Sequence, residues 1–204
     1  MVNFHFIDYA SLGTVCCPPR VRGECWYMYK SLFALPDKPA HVAKWLNFSL
    51  HFIDLRPDSR PIAVPPYRAG PKTRELEQAE VDRQLRDGVI EPAQSEWASP
   101  VVFAPKADGT LRFCVDYRRL NLATMKDSYP IPRMDECIDS LGDAEIFSTL
   151  DCNAGYWQIP IRVSDRDKTT FICHAGTYRY TRMSFGLTNA PATFQRALDI
   201  LLAQ

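Results

Sequence analysis

Residues 146–158 read Ile-Phe-Ser-Thr-Leu-Asp-Cys-Asn-Ala-Gly-Tyr-Trp-Gln, and this stretch decides the fold. The apolar run before Asp151 predicts a short strand that ends in a carboxylate and is followed by a turn and two aromatic residues. A carboxylate held at the end of a buried strand and facing a cleft suits metal-dependent phosphoryl transfer. The simpler alternative is a carboxylate that caps the turn. Tyr156 either forms a floor beneath a sugar ring or packs in the core.

A β-hairpin is predicted upstream of this stretch. Residues 101–104 are rich in β-forming residues, and residues 111–117 alternate apolar and polar side chains. The two segments flank Asp108-Gly109. Lys106 and Arg112 lie on either side of the turn, so the hairpin could close two cations over a triphosphate. Surface cations on a soluble hairpin are the alternative. A three-residue loop would put both cations on one face of the sheet, whereas a two-residue turn would separate them.

A second hairpin and a helix are predicted downstream. Residues 168–173 and 177–181 are β-rich and separated by a short turn, in which His174 is expected to be a surface residue. A helix is predicted from Ala190-Pro191, since proline favours the first helical turn. Its apolar face comprises Phe194, Leu198, Leu201 and Leu202.

Two helices and a connector are predicted on the N-terminal side of the central stretch. Residues 72–88 predict a surface helix, residues 132–142 predict another helix, and each is closed by glycine. The apolar positions of the first are Leu76, Ala79, Val81 and Leu85, and those of the second are Met134, Cys137, Ile138 and Leu141. Five prolines between residues 57 and 71 predict that residues 51–71 form an extended connector. We therefore expect a boundary near residue 50, and residues 1–50 receive no assignment.

The composition is that of a soluble globular protein, with 24 Lys plus Arg against 24 Asp plus Glu and 46% hydrophobic residues. Zero net charge argues against nucleic-acid binding by bulk electrostatics alone, but residues 106–126 carry five basic and two acidic residues, a local charge of +3. This basic strip suits a groove that grips phosphate, or else forms a solvated face. Seven cysteines without a C-x-x-C pair argue against a disulfide or zinc framework. Without a membrane-spanning stretch or a signal sequence, we expect an intracellular protein, cytoplasmic or nuclear.

The order of these motifs along the chain indicates a relationship to known proteins more specifically than any single motif does. From His51 onward, over about 150 of the 204 residues, the sequence resembles the reverse transcriptases of gypsy-type long-terminal-repeat retrotransposons. The matching segments are 66–68, 88–92, 97–102, 105–106, 108–121, 129–133, 147–151, 155–159, 168–171 and 185–196. The resemblance implies an α+β fold, the fingers and partial palm of a right-hand polymerase, formed by residues 72–204. The hairpin around Gly109 would be the fingertip, and the strand ending at Asp151 would belong to the palm.

The resemblance also implies roles for individual residues. Asp151 would be catalytic and would bind Mg²⁺ together with the backbone carbonyl of Cys152. The nucleotide-binding residues would be Lys106 and Arg112 on the triphosphate, Tyr156 as a steric gate against a ribose 2′-hydroxyl, and Phe185 and Gly186 beside the incoming nucleotide. Template and primer would lie near Asn189, Pro191 and Gln195. The implied partners are an RNA or DNA template-primer, a dNTP and the remainder of a Pol polyprotein.

The sequence departs from the family pattern in three places. Ser184 replaces the usual proline before Phe-Gly-Leu, and Ala107 stands where a second lysine is common. Neither change removes a metal ligand. The third departure is that the sequence ends at Gln204, before the Tyr-x-Asp-Asp hairpin that family members carry, and it contains no Asp-Asp pair.

Because two-metal nucleotidyl transfer needs several carboxylates, we expect this chain to be inactive alone. Whether it acts as an enzyme is therefore open. The alternatives are a non-catalytic retrotransposon remnant or nucleic-acid- or partner-binding module, and a decaying gene fragment without a folded product.

Overall fold

The computed structural model describes residues 14–15, 49–105, 109, 111–142, 148–149, 152 and 154–202. The helices and strands alternate irregularly along the chain, as in a mixed α+β fold. Their order is β1 Thr14–Val15, α1 Pro71–Arg86, β2 Ile90–Pro92, β3 Ser99–Pro105, β4 Leu111–Val115, α2 Arg118–Ala123, α3 Met134–Asp139, β5 Ser148–Thr149, 3₁₀ helices Gly155–Gln158 and Val163–Thr169, β6 Phe171–Cys173, β7 Gly176–Tyr180 and α4 Ala190–Leu202. No helix in this described part is long and apolar enough to cross a membrane.

The main sheet has five strands in the order β2-β7-β6-β3-β4. Strands β3 and β4 form the first predicted hairpin, with Val101 opposite Val115 and Pro105 opposite Leu111. Strands β6 and β7 form the second hairpin, and β6 runs parallel to β3. Both hairpin predictions are therefore confirmed, and the two hairpins lie side by side in one sheet.

The central stretch is described only in part. Its strand is present as β5, which pairs antiparallel with β1. Asp151 lies outside the described residues, as do the flanking Leu150 and Asn153. The predicted position of Asp151 at the end of this strand thus stays a prediction.

The core of the main sheet is built around Phe171 on β6, which is fully buried. Its ring packs edge-to-face on Phe113 at 5.8 Å between centroids and contacts Tyr180 at 5.4 Å and Tyr178 at 5.9 Å. Since Phe113 belongs to one hairpin and the tyrosines to the other, a single aromatic cluster joins the two hairpins.

Helix α1 begins where the sequence predicted but buries a different face. Val81 is fully buried, whereas Leu76 is 48% exposed. The polar side chains of Glu77 and Gln84 are buried instead, at 3% and 2% exposure. The four apolar positions did not indicate this burial, because Glu77 finds its partner in His174, 97 residues further along the chain.

Residues 163–169 form a 3₁₀ helix, so the predicted start of the second hairpin at Lys168 was wrong. Side chains in this segment bond to groups three residues earlier instead of continuing a strand: the Thr169 hydroxyl donates to the Arg166 carbonyl, and the Lys168 ammonium donates to Asp165 at 2.6 Å. The predicted helices at 132–142 and from Ala190 are confirmed as α3 and α4.

The connector that precedes α1 is built into the fold at its start. The Ile53 N–H donates to the buried carboxylate of Asp165, which also accepts hydrogen bonds from Arg162 and Lys168. Burial alone raises the pKa of Asp165, but these donors lower it below its ordinary value. His51, beside Ile53, is 1% exposed, and burial lowers its pKa to about 4. This end of the connector is therefore part of the packed core.

Candidate functional site

A cleft of about 470 Å³ lies between α1, β4 and the turn that follows β7. Helix α1 contributes Glu80, Arg83 and Gln84 to its wall, and β4 contributes all five of its residues, 111–115. Trp157, Tyr180, Ser184 and Phe185 complete the lining. The size and the mostly apolar lining with a few polar groups are typical of ligand sites.

Arg112 lies on β4 opposite Ala104 and is exposed on the cleft wall. The described ladder ends with Pro105 opposite Leu111. Lys106 lies outside the described residues, so the relative orientation of the two predicted phosphate ligands stays open. The structure nevertheless places Arg112 and Phe185, 73 residues apart in sequence, on the same cleft.

Tyr156 is half-buried in the first 3₁₀ helix and packs between two aromatic rings. Its ring centroid lies 4.9 Å from that of Phe185 and 5.4 Å from that of Phe194 on α4. The neighbouring Gly155 permits this arrangement, because a Cβ there would lie 2.9 Å from the Phe194 ring. The two interpretations of Tyr156 are thus compatible: the ring packs against the core and also touches a residue of the cleft.

The turn that carries Phe185 and Gly186 is held by Asn121, a residue that the sequence analysis missed. The Asn121 amide nitrogen donates to the Gly186 carbonyl at 2.8 Å, and its oxygen accepts from the Thr188 N–H at 2.9 Å. Gly186 has φ +87°, which favours glycine. No local sequence signal links Asn121 to a turn 65 residues away, so only the tertiary structure identifies it.

The predicted template-primer residues lie at the start of α4, and two of them use their side chains internally. The Asn189 amide donates to the Met125 carbonyl and accepts from the Asp127 N–H. Gln195 is 6% exposed and donates to Asp199 at 2.9 Å. Pro191 is exposed in the first turn of the helix.

A carboxylate at the end of β4 fixes the base of the first hairpin. Asp116 accepts hydrogen bonds from the Tyr67 hydroxyl and from the Arg118 guanidinium, the shortest at 2.6 Å. Arg118 lowers the pKa of this carboxyl to about 2. Arg118 itself is 83% exposed, so part of the basic strip faces solvent while held in place.

The far wall of the cleft carries a cation–π contact, with the Arg83 guanidinium 5.1 Å from the Trp157 ring centroid. Arg83 also pairs with Glu80 at 2.6 Å. This contact ties α1 to the first 3₁₀ helix, at the end of the central stretch, and keeps both side chains on the cleft wall.

His174 is an exposed residue in the turn of the second hairpin, as predicted, and it also contacts α1. Its Nδ1 lies 3.1 Å from a carboxylate oxygen of Glu77, whose side chain is 4% exposed. Both residues line a smaller cavity of about 260 Å³ beside β3. The prediction of a surface turn residue is confirmed, and the contact with Glu77 is an addition to it, because α1 brings a buried carboxylate against the imidazole.

The metal site is not described by the structure. Among the described residues there is no group of three or more His, Cys, Asp or Glu side chains that could hold a metal ion. Asp151 lies outside them, and Cys152, the other predicted ligand, is half-buried.

Comparisons with known proteins agree with the resemblance seen in the sequence. The family described as "Reverse transcriptase (RNA-dependent DNA polymerase)" matches residues 104–204. The Pol polyprotein from transposon 412 of Drosophila melanogaster is 35% identical over 178 residues, which are 84% of this chain and 14% of that protein. The Pol polyprotein from transposon 297 of the same organism is 42% identical over 137 residues, 64% of this chain and 13% of that protein.

Solved structures show the same fold. A foamy virus protease-reverse transcriptase mutant superposes with a TM-score of 0.71 and 25% identity, covering 88% of this chain and 24% of that chain. A complex of the foamy viral enzyme with double-stranded DNA superposes with a TM-score of 0.60 and 25% identity, covering 76% of this chain and 26% of that one. The chain thus spans about a quarter or less of these relatives. It belongs to the reverse transcriptase family and corresponds to the N-terminal part of the reverse transcriptase domain of a gypsy-type retrotransposon Pol polyprotein.

Proposed function

We propose that residues 72–204 form the fingers and part of the palm of an RNA-directed DNA polymerase, and that the mouth of the cleft receives the incoming dNTP. The observation that carries the proposal is the convergence of Arg112 and Phe185 on one cleft, with Tyr156 stacked on Phe185. These residues come from three separate sequence motifs. The Arg112 guanidinium suits the triphosphate of a nucleotide, and the rings of Tyr156 and Phe185 suit its sugar and base.

Each residue then has a distinct role. Lys106 and Arg112 neutralise charge on the triphosphate, Tyr156 excludes a ribose 2′-hydroxyl, and Phe185 and Gly186 pack beside the nucleotide. Neutralising charge that develops on the leaving phosphates contributes to the rate of phosphoryl transfer. Gly186 has φ +87°. A Cβ built on it would lie 3.5 Å from the Val115 carbonyl oxygen, so the backbone of this turn runs close to β4.

Asp151 and the Cys152 backbone carbonyl would hold Mg²⁺, which in two-metal enzymes activates the attacking hydroxyl and stabilises the leaving oxygen. The 204 residues contain no adjacent pair of Asp residues. We therefore propose that this chain by itself binds its ligands without extending a primer, because one carboxylate cannot fix two ions.

Template and primer would pass along the start of α4 and the basic strip. The amides of Asn189 and Gln195 already bond within the protein, so their contribution is to shape this surface. Pro191 and the 83% exposed Arg118 lie at the surface and would contact a nucleic-acid strand directly. This exposed arginine also favours the second candidate function, a non-catalytic module that holds nucleic acid through the same strip.

The nucleotide-binding proposal is tested by the variant Lys106→Ala/Arg112→Ala. Binding of dTTP with a template-primer should weaken, and the dependence of log affinity on log salt should become shallower by about one unit for each cation withdrawn from a phosphate. Arg60→Ala is a matched control, since Arg60 is exposed and does not line the cleft. Unchanged affinity and salt slope in the double variant would contradict the proposal.

Primer extension tests the proposed inactivity of this chain by itself. The substrates are poly(rA) with an oligo(dT) primer, magnesium and labelled dTTP, and the control is Asp151→Asn. We expect no extension by either chain when both are folded by circular dichroism. Extension that disappears in Asp151→Asn would show that the missing carboxylates are supplied by another chain, and would contradict the proposed inactivity.

A further inference from the structure

Two half-buried arginines lie near each other outside the cleft. Arg166 belongs to the second 3₁₀ helix, and Arg182 follows β7. Arg182 forms an isolated β-bridge with Pro160, which precedes that helix along the chain. Burial and the positive charge of Arg166 lower the pKa of Arg182 below its ordinary value. The fold therefore holds two guanidinium groups close enough to repel each other.

The carboxylates beside this pair are bound mainly by a third arginine, Arg179 on β7. Arg179 pairs with Asp167, and its Nε donates to Glu91 Oε1 at 2.7 Å. The same Glu91 oxygen lies 3.6 Å from Arg166 Nη1, which is too long for a hydrogen bond. Among the described residues, three arginines thus share two carboxylates, and the excess positive charge falls on Arg166 and Arg182.

Both arginines of the pair have N–H groups available for an anion. Arg182 forms no ion pair within the described part of the chain, and its Nη1 donates to the Gln158 carbonyl at 3.3 Å. The Nε of Arg166 is buried and has no hydrogen-bond partner among the described residues. A buried donor without a partner destabilises a fold unless a water or an ion satisfies it. This Nε is therefore a candidate donor to a bound anion.

The arrangement of the two guanidinium groups favours a tetrahedral anion. Each guanidinium presents a fork of N–H groups that matches two oxygens of a carboxylate or a phosphate. Because Arg166 and Arg182 come from different segments, one anion must offer acceptors in more than one direction to reach both. A phosphate has oxygens on all sides, whereas a carboxylate has two oxygens in one plane. Its negative charge also offsets the repulsion between the arginines.

We propose that Arg166 and Arg182 form a binding site for a phosphate-class oxyanion. The anion accepts hydrogen bonds from Arg166 Nε and from the remaining N–H groups of Arg182, and it joins the second 3₁₀ helix to the segment after β7. Neither arginine lines the cleft. The site is thus separate from the proposed dNTP site and independent of the polymerase proposal.

The test is calorimetric titration of the 204-residue chain with inorganic phosphate, with chloride adjusted to keep the ionic strength constant. We expect saturable binding to the wild type and about tenfold weaker binding to Arg182→Gln, which loses charged hydrogen bonds to the anion. Arg182→Lys keeps the charge without the fork of N–H groups and should have an intermediate affinity. Arg60→Gln is the matched control for the loss of one charge, because Arg60 is exposed.

The titration is repeated with Lys106→Ala/Arg112→Ala, because phosphate is also expected at the proposed dNTP site. Phosphate binding that this double variant keeps and Arg182→Gln loses supports the arginine pair. Unchanged phosphate affinity in Arg182→Gln overturns the proposal, since another site would then hold the anion. Absence of saturable binding to the folded wild type also overturns it, and this result does not depend on whether Arg182→Gln folds.

A competition experiment in Lys106→Ala/Arg112→Ala identifies the source of the phosphate. Single-stranded oligo(dT) that displaces inorganic phosphate assigns the site to the phosphodiester backbone of a strand. Inorganic phosphate that stays bound at saturating oligo(dT) assigns the site to a free phosphate. Both results support the proposed oxyanion chemistry.

Discussion

The two hairpins of the main sheet are anchored at opposite ends. The β3–β4 hairpin is fixed at its base, where Asp116 is held by Tyr67 and Arg118 and the Tyr117 hydroxyl donates to the Thr169 carbonyl at 2.8 Å. The β6–β7 hairpin is fixed at its turn, where His174 meets the buried Glu77 of α1. The same local signal, two β-rich runs around a glycine turn, produces both hairpins.

The difference in anchoring separates their roles. The β6–β7 hairpin, which is fixed at its turn, supports the fold: its residues fill the core or contact α1. In the hairpin pinned at its base, Leu111 and Arg112, at the start of β4, are exposed on the cleft. Where a hairpin is attached therefore decides whether it supports a site or presents side chains to it.

The largest expected effect comes from Phe171→Ala, which removes the ring shared by the two hairpins. We expect a loss of about 3–5 kcal/mol in the free energy of unfolding, because the fully buried ring leaves a cavity. Urea denaturation followed by both circular dichroism and tryptophan fluorescence should show one transition for the wild type. Two separated transitions in the wild type would mean that the hairpins unfold independently and that Phe171 does not join them.

The next effect is that of His174→Ala, which removes the anchor of the β6–β7 turn. The Glu77 carboxylate would remain buried after losing its imidazole partner, and we expect a cost of about 1–3 kcal/mol. Chemical denaturation measures it, and a double-mutant cycle with Glu77→Leu isolates the pair. Additive losses in the cycle would show that the imidazole and the carboxylate do not stabilise each other.

A smaller, pH-dependent effect is expected from Asp116→Asn at the base of the β3–β4 hairpin. Arg118 lowers the folded pKa of Asp116 to about 2, below its ordinary value of 3.8. The ionised carboxylate therefore contributes stability above about pH 4, and this contribution is lost as the pH falls toward 2. Because Arg118 is largely exposed, we expect about 1 kcal/mol or less at neutral pH.

Urea denaturation at pH 7 and near pH 2.5 measures this contribution. The difference between wild type and Asp116→Asn should shrink at the lower pH. Asp58→Asn is the control, since Asp58 is exposed and forms no ion pair within the described part of the chain. A difference that stays constant between the two pH values would mean that the carboxylate charge does not fix the hairpin base.

The smallest effect on stability is expected for Arg112→Ala. Arg112 is exposed on β4 and has no ion pair with another described residue, so the free energy of unfolding should change by less than about 0.5 kcal/mol. Nucleotide binding should weaken in the same sample. A loss above about 1 kcal/mol in the free energy of unfolding, measured by thermal or urea denaturation, would instead assign Arg112 a structural role. Both hairpins would then support the fold in the same way.

Much of the local structure was predictable because its signals are local. Alternating side chains around Asp108-Gly109 and Ala175-Gly176 predict the two hairpins, and Pro191 in a first turn predicts α4. The start of the second hairpin was predicted wrongly because side-chain bonds override residue type there. Lys168 and Thr169 are β-compatible by type, but their bonds to Asp165 and Arg166 hold a 3₁₀ helix.

The candidate site was predictable only as a list of residues. Motif order named Arg112, Tyr156 and Phe185, but not their arrangement. Asn121, which brackets the Gly186 turn, lies in a matching segment that assigned it no role. Gln84, whose Oε1 has no hydrogen-bond partner among the described residues, belongs to no motif. Their importance arises from partners that lie far away in sequence.

The sequence by itself determined the family, the hairpins and the residue types available for nucleotide chemistry, because these depend on short-range patterns and on the order of motifs. The tertiary structure decided which polar groups are buried and what they meet. Glu77 is a charged residue on a predicted surface helix, yet it is buried where α1 packs on the β6–β7 turn and meets the exposed His174. Burial depends on contacts between distant segments, and a linear pattern does not contain those contacts.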